Sequence, residues 1–598
     1  MILAAGTGSR LRPLTDGIPK CLAEVGGTPI LLRTLSTLAE CGLNNVTLVV
    51  GHLGQEIVDA VGDCWQGLDV RYVWALNYAK TNNIVSLWEA RESLDQDILL
   101  LEGDVVFEKE VLQRLLSAEG DAMVVSQYRS VHSGTVVSLD RERHYVAELI
   151  LDSAQDKAFD YSDVFKTVNI YKFSLGFLAE QLVPSLRRAL QAGSVQRFYE
   201  AELREPIQEG CVNFVAVDVS DLKWYEVDDY NELEAANYLF TAPKKRLARI
   251  HDLHGGYWRY GFKDHSYLYN LYFPPEAMLE HFQRNMRSIV TSYPVAQGEL
   301  ARLVGNWTGA PAEQIAVANG ASELIKILGG SLASSITIPV PSFNEYENVI
   351  EPANLYRFYL DPATFELDVD GFASSAIAAR SKAAIVVTPN NPTSLSVPIQ
   401  DLLRLAETLL SHGITLVVDE SFIDFSRNGL TNSIQPYLDQ YSNVILLKSM
   451  SKVFGIAGLR LGYLLSSNQA AVSSIRAELP IWNINGLGEE FLRVVGRYRN
   501  EFFESCEHVK RDRDDFYEML LDVPGIRPVK PDANFILCEV EHPGITGPDL
   551  VSRLFEHHDI LVKDCGGKSM HDGERYLRIA SRTASENRQL AEALRRLD

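Results

Sequence analysis

One lysine stands where the sequence could place a reactive amine. Lys452 follows the apolar run NVILL, and Ser449, Ser451 and Arg460 lie close to it along the chain. Burial disfavours the charged form of a lysine, and the free amine can then condense with a carbonyl to form a Schiff base. The flanking hydroxyls and the guanidinium group suit a phosphate. The pattern predicts a Schiff-base lysine next to a phosphate site, and the alternative is an ordinary lysine at a strand edge.

Two further apolar strands in this half of the chain end in polar residues. AAIVVTPNNP carries Asn391 near its end, and TLVVDESFIDF carries Asp419. Ligands of open α/β sheets lie beyond the carboxyl ends of the strands, so these side chains and Lys452 should lie together. Pyridoxal 5′-phosphate (PLP) needs a lysine, a carboxylate for its ring nitrogen and a donor for its ring oxygen. The small residues NGASE at 319–323 precede a helical pattern, and they would expose backbone N–H groups to the cofactor's phosphate.

From about residue 252 to residue 598 the sequence resembles the fold-type-I PLP enzymes of aminotransferase class I and II. Within that class it is most similar to histidinol-phosphate aminotransferase and threonine-phosphate decarboxylase. The resemblance implies that Lys452 forms the Schiff base, that Asp419 pairs with the pyridine nitrogen and that Asn391 bonds the ring oxygen. It also implies that Phe343, in PSFNEY, stacks on the ring. The phosphate ligands that it implies are Ala321, Ser322, Ser449, Ser451 and Arg460.

The same resemblance extends to the substrate and to a second subunit. Arg578 in YLRIASR matches the arginine that binds the anionic end of the substrate. Tyr293 in SYPVAQ matches a tyrosine that reaches the phosphate bound by the partner subunit. The resemblance therefore implies a homodimer. It also implies a small C-terminal subdomain after the PLP-binding core.

Two departures from the family pattern concern the reaction. Phe422 stands where many members carry a tyrosine that bonds the ring oxygen, and Lys563-Asp564 replaces the Arg-Asp of histidinol-phosphate aminotransferase. A lysine offers a point charge where an arginine offers a planar fork, so Lys563 is a candidate substrate-binding residue of a different kind. Phe422, the DESFIDF run and LHGG at 253–256 lean toward the decarboxylase branch. Transamination and decarboxylation therefore both stay open.

The N-terminus offers a second chemistry, that of nucleotide phosphates. A short apolar strand leads directly into Gly6, Gly8 and Arg10, and Arg12 and Lys20 follow. Glycines let the backbone approach a ligand closely, and successive N–H groups form a nest for phosphates. A glycine-rich turn with solvated basic residues would look similar. The longer pattern L-A-A-G-x-G-x-R followed by P-K is the more specific signal.

Two carboxylates in this half are candidate metal ligands. Asp104 follows the apolar strand DILLLEG, and Asp228 precedes a helical run. Mg²⁺ in phosphoryl chemistry takes one or two carboxylates together with substrate phosphates. The pair therefore predicts a Mg²⁺ site, although Asp228 or its neighbour Asp229 would serve equally as a helix N-cap.

Residues 1 to about 240 resemble the sugar-phosphate nucleotidyltransferases of GT-A-like, Rossmann-like α/β fold. YAKTNNIVSLWEA at 78–90 brings them closest to the phosphocholine cytidylyltransferase type. The resemblance implies CTP as substrate and gives Arg10 and Lys20 the catalytic role of neutralising phosphate charge. The substrate-binding residues that it implies are Gly6, Gly8, Arg10, Lys20 and Asn83, and the metal ligands are Asp104 and Asp228.

Two kinds of side chain in this half could bind the cationic end of the acceptor. An aromatic cage could hold a quaternary ammonium. Acidic residues such as Glu200 could equally bind a primary ammonium. The aromatic candidates are Trp74, Trp88, Tyr171, Tyr199, Trp224 and Tyr225.

Length and composition exclude several classes of protein. The chain has 598 residues, a hydrophobic fraction of 46% and a net charge of -23, which argue for a large globular protein without non-specific affinity for nucleic acid. Its 7 cysteines form no C-x-x-C pair and predict neither zinc nor disulfides, as expected in a reducing cytoplasm. No apolar run reaches membrane-spanning length, and the start does not read as a signal peptide. An upstream start codon is an alternative, since the chain begins almost at its first strand.

The expected domains are 1–240 and 252–598, joined by a linker at 241–251. Together they resemble the fused phosphonate cytidylyltransferase and 2-aminoethylphosphonate transaminase enzymes of phosphonate biosynthesis. The resemblance implies that phosphonoacetaldehyde, with an amino donor such as alanine, becomes 2-aminoethylphosphonate, which CTP then activates. Phosphocholine and phosphoethanolamine remain alternative acceptors. The rival interpretations are a phosphoserine or threonine-phosphate decarboxylase, or a histidinol-phosphate-type aminotransferase, feeding CDP-ethanolamine-type activation, and a non-catalytic protein that binds nucleotide or PLP.

Overall fold

The computed structural model describes residues 1–129, 132–156, 159–332 and 335–596, so the end of the second expected domain, Asp598, lies outside it. The chain divides into two compact units, Met1–Gly261 and Phe262–Asp598. The expected linker at 241–251 is largely a helix, Pro243–Leu253, and belongs to the first unit. Its Leu247 and Ile250 are buried at helical spacing, which is why the segment does not form an extended connection.

Within the described residues, the first unit is built around a ten-stranded mixed sheet. Its strand Ile2–Ala4 runs parallel to Asn45–Val50 on one side and to Ile98–Glu102 on the other. Leu3 packs into one hydrophobic core, and its neighbours Ile2 and Ala4 pack into another. Both faces of the strand are therefore covered, which explains its continuous apolar sequence.

The other strands and the helices of the first unit surround this centre. The remaining strands of the sheet are Cys64–Trp65, Leu68–Trp74, Ala122–Gln127, Val136–Leu139, Val146–Ile150, Phe165–Phe173 and Val215–Asp218. Two small ladders pair Val105–Phe107 with Trp224–Glu226 and Glu24–Val25 with Thr28–Pro29. The longer helices are Ile30–Glu40, Gly54–Val61, Asn83–Glu89, Lys109–Ser117, Val183–Gln191, Ala201–Gln208, Tyr230–Phe240 and Pro243–Leu253.

The second unit contains, as far as the described residues go, a seven-stranded sheet and a smaller four-stranded sheet. In spatial order the large sheet is Ile315–Asn319, Leu461–Leu465, Val444–Ser449, Thr415–Asp419, Ala383–Val387, Ile336–Val340 and Leu355–Tyr359. Leu461–Leu465 runs antiparallel to both neighbours, and the other pairings are parallel. The antiparallel small sheet consists of Ile526–Pro528, Phe535–Val540, Tyr576–Ala580 and Lys563–Asp564. This small sheet corresponds to the expected C-terminal subdomain.

Helices cover both faces of the large sheet. They are Glu276–Thr291, Gln297–Thr308, Ala321–Ser331, Asn344–Asn348, Val369–Ala378, Ile399–Ser411, Met450–Val453, Gln469–Glu478, Gly486–Val494 and Arg499–Leu521. Two further helices, Gly547–His558 and Ala584–Arg595, lie with the small sheet and with Arg499–Leu521 instead. Neighbouring strand residues such as Val417 and Val418 enter different cores on the two faces. The carboxyl ends of the parallel strands thus remain the part of the sheet where polar side chains can gather. In the part of the chain that is described, no helix has the length and apolar character needed to cross a bilayer.

Candidate active sites

The first unit contains a cavity of about 240 Å³ at the end of strand Ile2–Ala4. The glycine loop forms one wall, and the end of Ile98–Glu102 forms another. At Gly8 the backbone has φ +58°, and a Cβ there would lie 2.9 Å from Thr15, so glycine is required. The predicted residues that line this cavity are Gly6, Gly8, Arg10, Lys20, Asn83, Asp104 and Asp228.

A lysine bridges the two predicted metal ligands. The Nζ atom of Lys20 donates to Asp104 Oδ2 at 2.5 Å and to Asp228 Oδ1 at 2.6 Å. Arg10 pairs with the other Asp228 oxygen at 2.8 Å. Although burial alone would lower it, the charges of Asp104 and Asp228 raise the pKa of Lys20 above its ordinary value. Burial alone would raise the pKa of Asp228. Lys20 and Arg10 outweigh burial and hold this pKa below its ordinary value.

The same pair of carboxylates fits Mg²⁺. Both face one cation already, and Asp104 Oδ1 is buried without a hydrogen-bond partner. No group of three or more His, Cys, Asp or Glu side chains within the described residues could hold a metal ion. Two carboxylates suffice for Mg²⁺ when phosphates supply further ligands. The donor set therefore suits a metal that binds together with a nucleotide.

Glu102 lines the cavity although the sequence did not single it out as a ligand. Asn83 Nδ2 donates to Glu102 Oε1 at 3.2 Å, and Asn83 Oδ1 accepts from the backbone N–H of Tyr199 at 2.9 Å. Burial raises the pKa of Glu102 well above its ordinary value, and the charges of Asp104 and Glu200 add to the effect. The available signal was its position at the end of an apolar strand, next to Gly103 and Asp104.

The second unit contains a cavity of about 250 Å³ at the carboxyl ends of its parallel strands. The predicted residues that line it are Ala321, Ser322, Phe343, Asn391, Asp419, Ser449, Lys452, Arg460 and Arg578. Ser451 stands just behind this wall and is joined to it by a hydrogen bond from Arg460 Nη1. The ends of three strands and the start of a helix thus supply the PLP-binding residues that the sequence suggested.

Lys452 is held as a weakly basic amine. Desolvation, with the charges of Arg578 and Arg460, lowers the pKa of Lys452 to about 8, although Asp419 acts in the opposite direction. A substantial fraction of this amine is therefore neutral near physiological pH. Such an amine can condense with an aldehyde.

Asp419 is buried and held by two donors. The Tyr346 hydroxyl donates to Asp419 Oδ2 at 2.8 Å, and the backbone N–H of Ser421 donates to Oδ1 at 2.9 Å. Burial raises the pKa of Asp419. A protonated pyridine nitrogen would compensate the buried charge, so this residue fits PLP. The sequence missed Tyr346, because it does not show that the short helix Asn344–Asn348 turns this side chain toward the sheet.

The phosphate end of the site is built around Arg460. Its Nη1 and Nη2 atoms donate to Ser451 Oγ and Ser322 Oγ, each at 3.4 Å. Helix Ala321–Ser331 begins here, so its N-terminal N–H groups face the same place. At Gly320 the backbone has φ +79°, and a Cβ would lie 2.5 Å from Arg460 Nη2. This cradle fits the phosphate of PLP.

The substrate end contains one arginine with a donor to spare. Arg578 Nη1 donates to Asn391 Oδ1 at 3.0 Å and Nη2 to the Ser266 carbonyl at 2.5 Å. Its Nε is buried without a hydrogen-bond partner. Lys563 pairs with Arg578 across the small sheet, but its side chain is exposed and does not line the cavity. The structure thus does not bring Lys563 to the cavity where the resemblance placed it.

Two other predicted features lie as follows. Phe422 lines the cavity and packs edge-on against Phe535, so this residue itself supplies no hydroxyl. Tyr293 lies outside the cavity, is 80% exposed and stacks on Trp482 with ring centroids 4.4 Å apart. Its expected contact with a partner subunit stays a prediction.

Tyr346→Phe is expected to weaken PLP binding roughly tenfold, because a hydrogen bond to a buried carboxylate is lost. The hydroxyl of Tyr346 lowers the pKa of Asp419, so its removal favours the neutral carboxyl that pairs poorly with a protonated pyridine. Spectroscopic titration of the cofactor-stripped protein with PLP measures the change. Tyr356→Phe, at an exposed tyrosine, is the matched control. Equal affinities for the two variants would contradict this role.

The rate at which the cofactor-stripped protein attaches PLP is expected to rise with pH and level off above about 8, because Lys452 must lose its proton. Arg578→Met removes a cation that lowers the pKa of Lys452, so the midpoint should move to higher pH. Stopped-flow absorbance over a pH series measures the profile. Arg404→Met, at an exposed arginine far along the sequence, should leave the midpoint in place. An unshifted midpoint in Arg578→Met would contradict the expected coupling.

Comparison with known proteins agrees with this geometry. Residues 267–597 match the family model for aminotransferase class I and II. The chain belongs to this family. Residues 1–206 match the model for a MobA-like NTP transferase domain. The predicted fusion of a nucleotidyltransferase with a PLP-dependent transferase fold is therefore confirmed, and with it an enzyme.

Relatives extend over the family domain and over the whole chain. CMP-5′-(3-aminopropyl)phosphonate synthase of Streptomyces rubellomurinus is 42% identical over 98% of this chain and 93% of that protein. L-serine phosphate decarboxylase of Sulfurospirillum multivorans is 29% identical over 56% of this chain and 87% of that protein. The crystal structure of histidinol-phosphate aminotransferase from Clostridium acetobutylicum covers 56% of the present chain and 98% of its own chain. The two sequences are 27% identical, and the TM-score is 0.51.

Proposed function

We propose that this family member makes a CMP-activated aminoalkylphosphonate in two reactions on one chain. The second unit forms the primary amine with PLP, and the first unit transfers CMP from CTP, with Mg²⁺, to a phosphonate oxygen. The observation that carries the proposal is that each unit has its own cavity lined by the expected reactive residues. The Streptomyces relative, whose name is that of a CMP-aminopropylphosphonate synthase, matches along almost the whole chain and supports the same product class.

In the first unit the protein acts by positioning and by neutralising charge. The loop N–H groups, Arg10 and Lys20 bind the triphosphate, and Mg²⁺ would be held by Asp104 and Asp228 and would neutralise further charge. A phosphonate oxygen bonds to the α-phosphorus as the bond to the β-phosphate oxygen breaks, and pyrophosphate leaves. The attacking oxygen is already anionic, so no side chain needs to remove a proton.

In the second unit the residues hold a cofactor and move a proton. PLP would be held by Asp419, Asn391, Phe343 and the phosphate cradle, and it supplies an electron sink for charge at the α-carbon of the substrate. The Lys452 amine, once released from the cofactor, carries a proton to or from that carbon. The free Nε donor of Arg578 binds the anionic end of the substrate.

Decarboxylation is the first candidate, supported by Phe422 and by one group of relatives. The C–CO₂⁻ bond of an α-amino acid breaks, carbon dioxide leaves, and Lys452 adds a proton to the α-carbon. The absent ring-oxygen hydroxyl at Phe422 and the serine phosphate decarboxylase relative both support this choice. An α-amino acid with a terminal phosphonate would give an aminoalkylphosphonate directly. Phosphoserine, by the same chemistry, would give phosphoethanolamine for activation to a CDP-ethanolamine-type product.

Transamination is the second candidate. In it, the amino group of alanine is transferred to phosphonoacetaldehyde, giving pyruvate and 2-aminoethylphosphonate. Its support is the Arg578–Asn391 pair, since an arginine beside the cofactor's ring oxygen suits the carboxylate of an amino donor. The histidinol-phosphate aminotransferase structure shares the fold of this unit and supports the same reading.

Two assays on the full chain test these proposals. Pyrophosphate release is measured with each of the four nucleotides against 2-aminoethylphosphonate, 3-aminopropylphosphonate, phosphocholine and phosphoethanolamine, and CTP with an aminoalkylphosphonate should be best. Carbon dioxide is then measured from 2-amino-4-phosphonobutyrate and phosphoserine, and pyruvate from alanine with phosphonoacetaldehyde. Carbon dioxide without pyruvate supports decarboxylation, and the reverse supports transamination. Absence of pyrophosphate with every pair would overturn the cytidylyltransferase.

The second unit also presents a surface suited to a second copy of the chain. Val290, Tyr293, Ile481 and Trp482 are apolar or aromatic and are 69%, 80%, 73% and 47% exposed. Contiguous exposed groups of this kind mark interaction sites. We expect a homodimer in which Tyr293 reaches the partner's phosphate site, and light scattering of the purified protein would check its mass.

A further inference from the structure

Three glutamates lie beside the nucleotide cavity: Glu102, which lines it, Glu200, which is buried, and Glu226, which is partly exposed. Lys166 Nζ lies 3.1 Å from Glu226 Oε2, and its side chain is only 3% exposed. No ion pair within the described residues joins Glu102 or Glu200 to a cation. When ionised, Glu102 and Glu200 carry negative charge that no ion pair offsets, and a buried charge is costly unless it is paired.

Glu200 supplies the independent sign that a ligand is missing from this cluster. It is 7% exposed, and its Oε2 atom is buried without a hydrogen-bond partner. Buried carboxylate oxygens in proteins normally accept hydrogen bonds. Glu200 lies against Asn83, which lines the cavity and donates to Glu102. The unsatisfied oxygen is thus next to the wall that a bound acceptor would touch.

We infer that Glu102 and Glu200 form the subsite for the primary ammonium group of the acceptor. The inference rests on the proposed cytidylyl transfer to an aminoalkylphosphonate and adds how the amine is recognised. A primary ammonium has three N–H donors, which match carboxylate oxygens of the two glutamates and the neighbouring amide oxygen. Glu102 and Asp104 line the same cavity, so a short acceptor can place its amine at one and its phosphonate near the other.

A quaternary ammonium does not fit the same place. It has no N–H donor and is held in proteins by the faces of aromatic rings. Of the six aromatic residues considered for a cage, none is among those that line the cavity in the described chain. Tyr171 and Tyr199 are fully buried and pack edge-on against each other, with ring centroids 6.0 Å apart. Glu102 lines the cavity, and Glu200 lies behind the lining, against Asn83. The carboxylate option is therefore the one that reaches the cavity.

The test compares three acceptors that differ only in the cationic group: 2-aminoethylphosphonate, its N,N,N-trimethyl derivative and ethylphosphonate. Pyrophosphate release with CTP gives kcat and KM for each. The wild-type chain should prefer the primary amine by on the order of 100-fold in kcat/KM, as expected when a site built for N–H donors meets an analogue that lacks them. Equal use of the primary and quaternary amines would overturn the inference without any variant.

Glu102→Gln and Glu200→Gln keep the shape of the side chains and remove their charge. Each should raise KM for 2-aminoethylphosphonate on the order of 30-fold, as for loss of one partner of a buried charge pair. The preference for 2-aminoethylphosphonate over ethylphosphonate should fall by a similar factor, which a merely structural role would not predict. Glu148→Gln, at an exposed glutamate of the same unit, is the matched control.

The outcomes separate two kinds of failure. An equal loss with all three acceptors, or an unchanged KM for the primary amine, would overturn the ammonium subsite while leaving cytidylyl transfer standing. A wild-type chain that releases no pyrophosphate with any acceptor would overturn the proposed function, and the subsite with it. Calorimetric binding of 2-aminoethylphosphonate to wild type and Glu200→Gln gives the same comparison without turnover.

Discussion

Lys452→Ala is expected to abolish covalent attachment of PLP and all turnover in the second unit, while pyrophosphate release from CTP stays within about twofold. The reason is that a Schiff base needs an amine. Lys452 is the one lysine among the described residues that line this cavity. Loss of a covalent catalytic lysine removes the path of the reaction rather than weakening one contact. Borohydride trapping of the cofactor on the protein, followed by mass measurement, gives a readout that does not depend on activity.

Lys326→Ala is the matched control for this change. Lys326 is exposed on helix Ala321–Ser331, the same helix that begins at the phosphate cradle. The control should attach PLP as the wild type does. If Lys452→Ala still traps PLP covalently at a single lysine, the assignment of the reactive amine is wrong. If it also stops pyrophosphate release, the two units are coupled and not merely joined.

Asp104→Asn is expected to have the opposite pattern. Cytidylyl transfer should fall by at least on the order of 10³-fold, because a metal ion at a transferring phosphate is worth several kcal/mol. Asp104 also anchors Lys20, so the change removes a partner of the residue proposed to neutralise the phosphates. Pyrophosphate release measures the loss, and the visible absorbance of bound PLP should be unaffected.

Asp69→Asn supplies the comparison for this second variant. Asp69 is an exposed residue in strand Leu68–Trp74 of the same sheet and does not line the cavity. Its rates should match those of the wild type. Retention of full activity in Asp104→Asn at saturating Mg²⁺ would remove Asp104 from the site. Rescue only at raised Mg²⁺ concentration would support its place as a ligand.

The sequence predicted, for a physical reason, that the polar residues following the strands would line one cavity. Strands such as Thr415–Asp419 are buried on both faces and therefore read as unbroken apolar runs. The polar residue that ends each run, such as Asp419, must lie at the carboxyl end of its strand. The motif spacing then placed Lys452 and Asn391 beyond the carboxyl ends of neighbouring strands, and both line the cavity.

The partners of these residues could not be predicted in the same way. Tyr346 reaches Asp419 across 73 positions of sequence, and Lys20 reaches Asp228 across 208. Such contacts depend on how distant elements pack, and local patterns carry no information about them. The same limit explains why Glu102 was not recognised and why Lys563 was expected in a cavity that it does not line.

The Lys20 bridge has a consequence for the order in which ligands enter. A divalent ion that seeks the oxygens of Asp104 and Asp228 competes with an ammonium that already satisfies them. A bare ion would have to displace the ammonium of Lys20 and leave it without a counter-ion. A metal–triphosphate complex instead offers the lysine a new anion as it takes the old ones away. Magnesium and nucleotide are therefore expected to arrive together, as a single exchange of counter-ions.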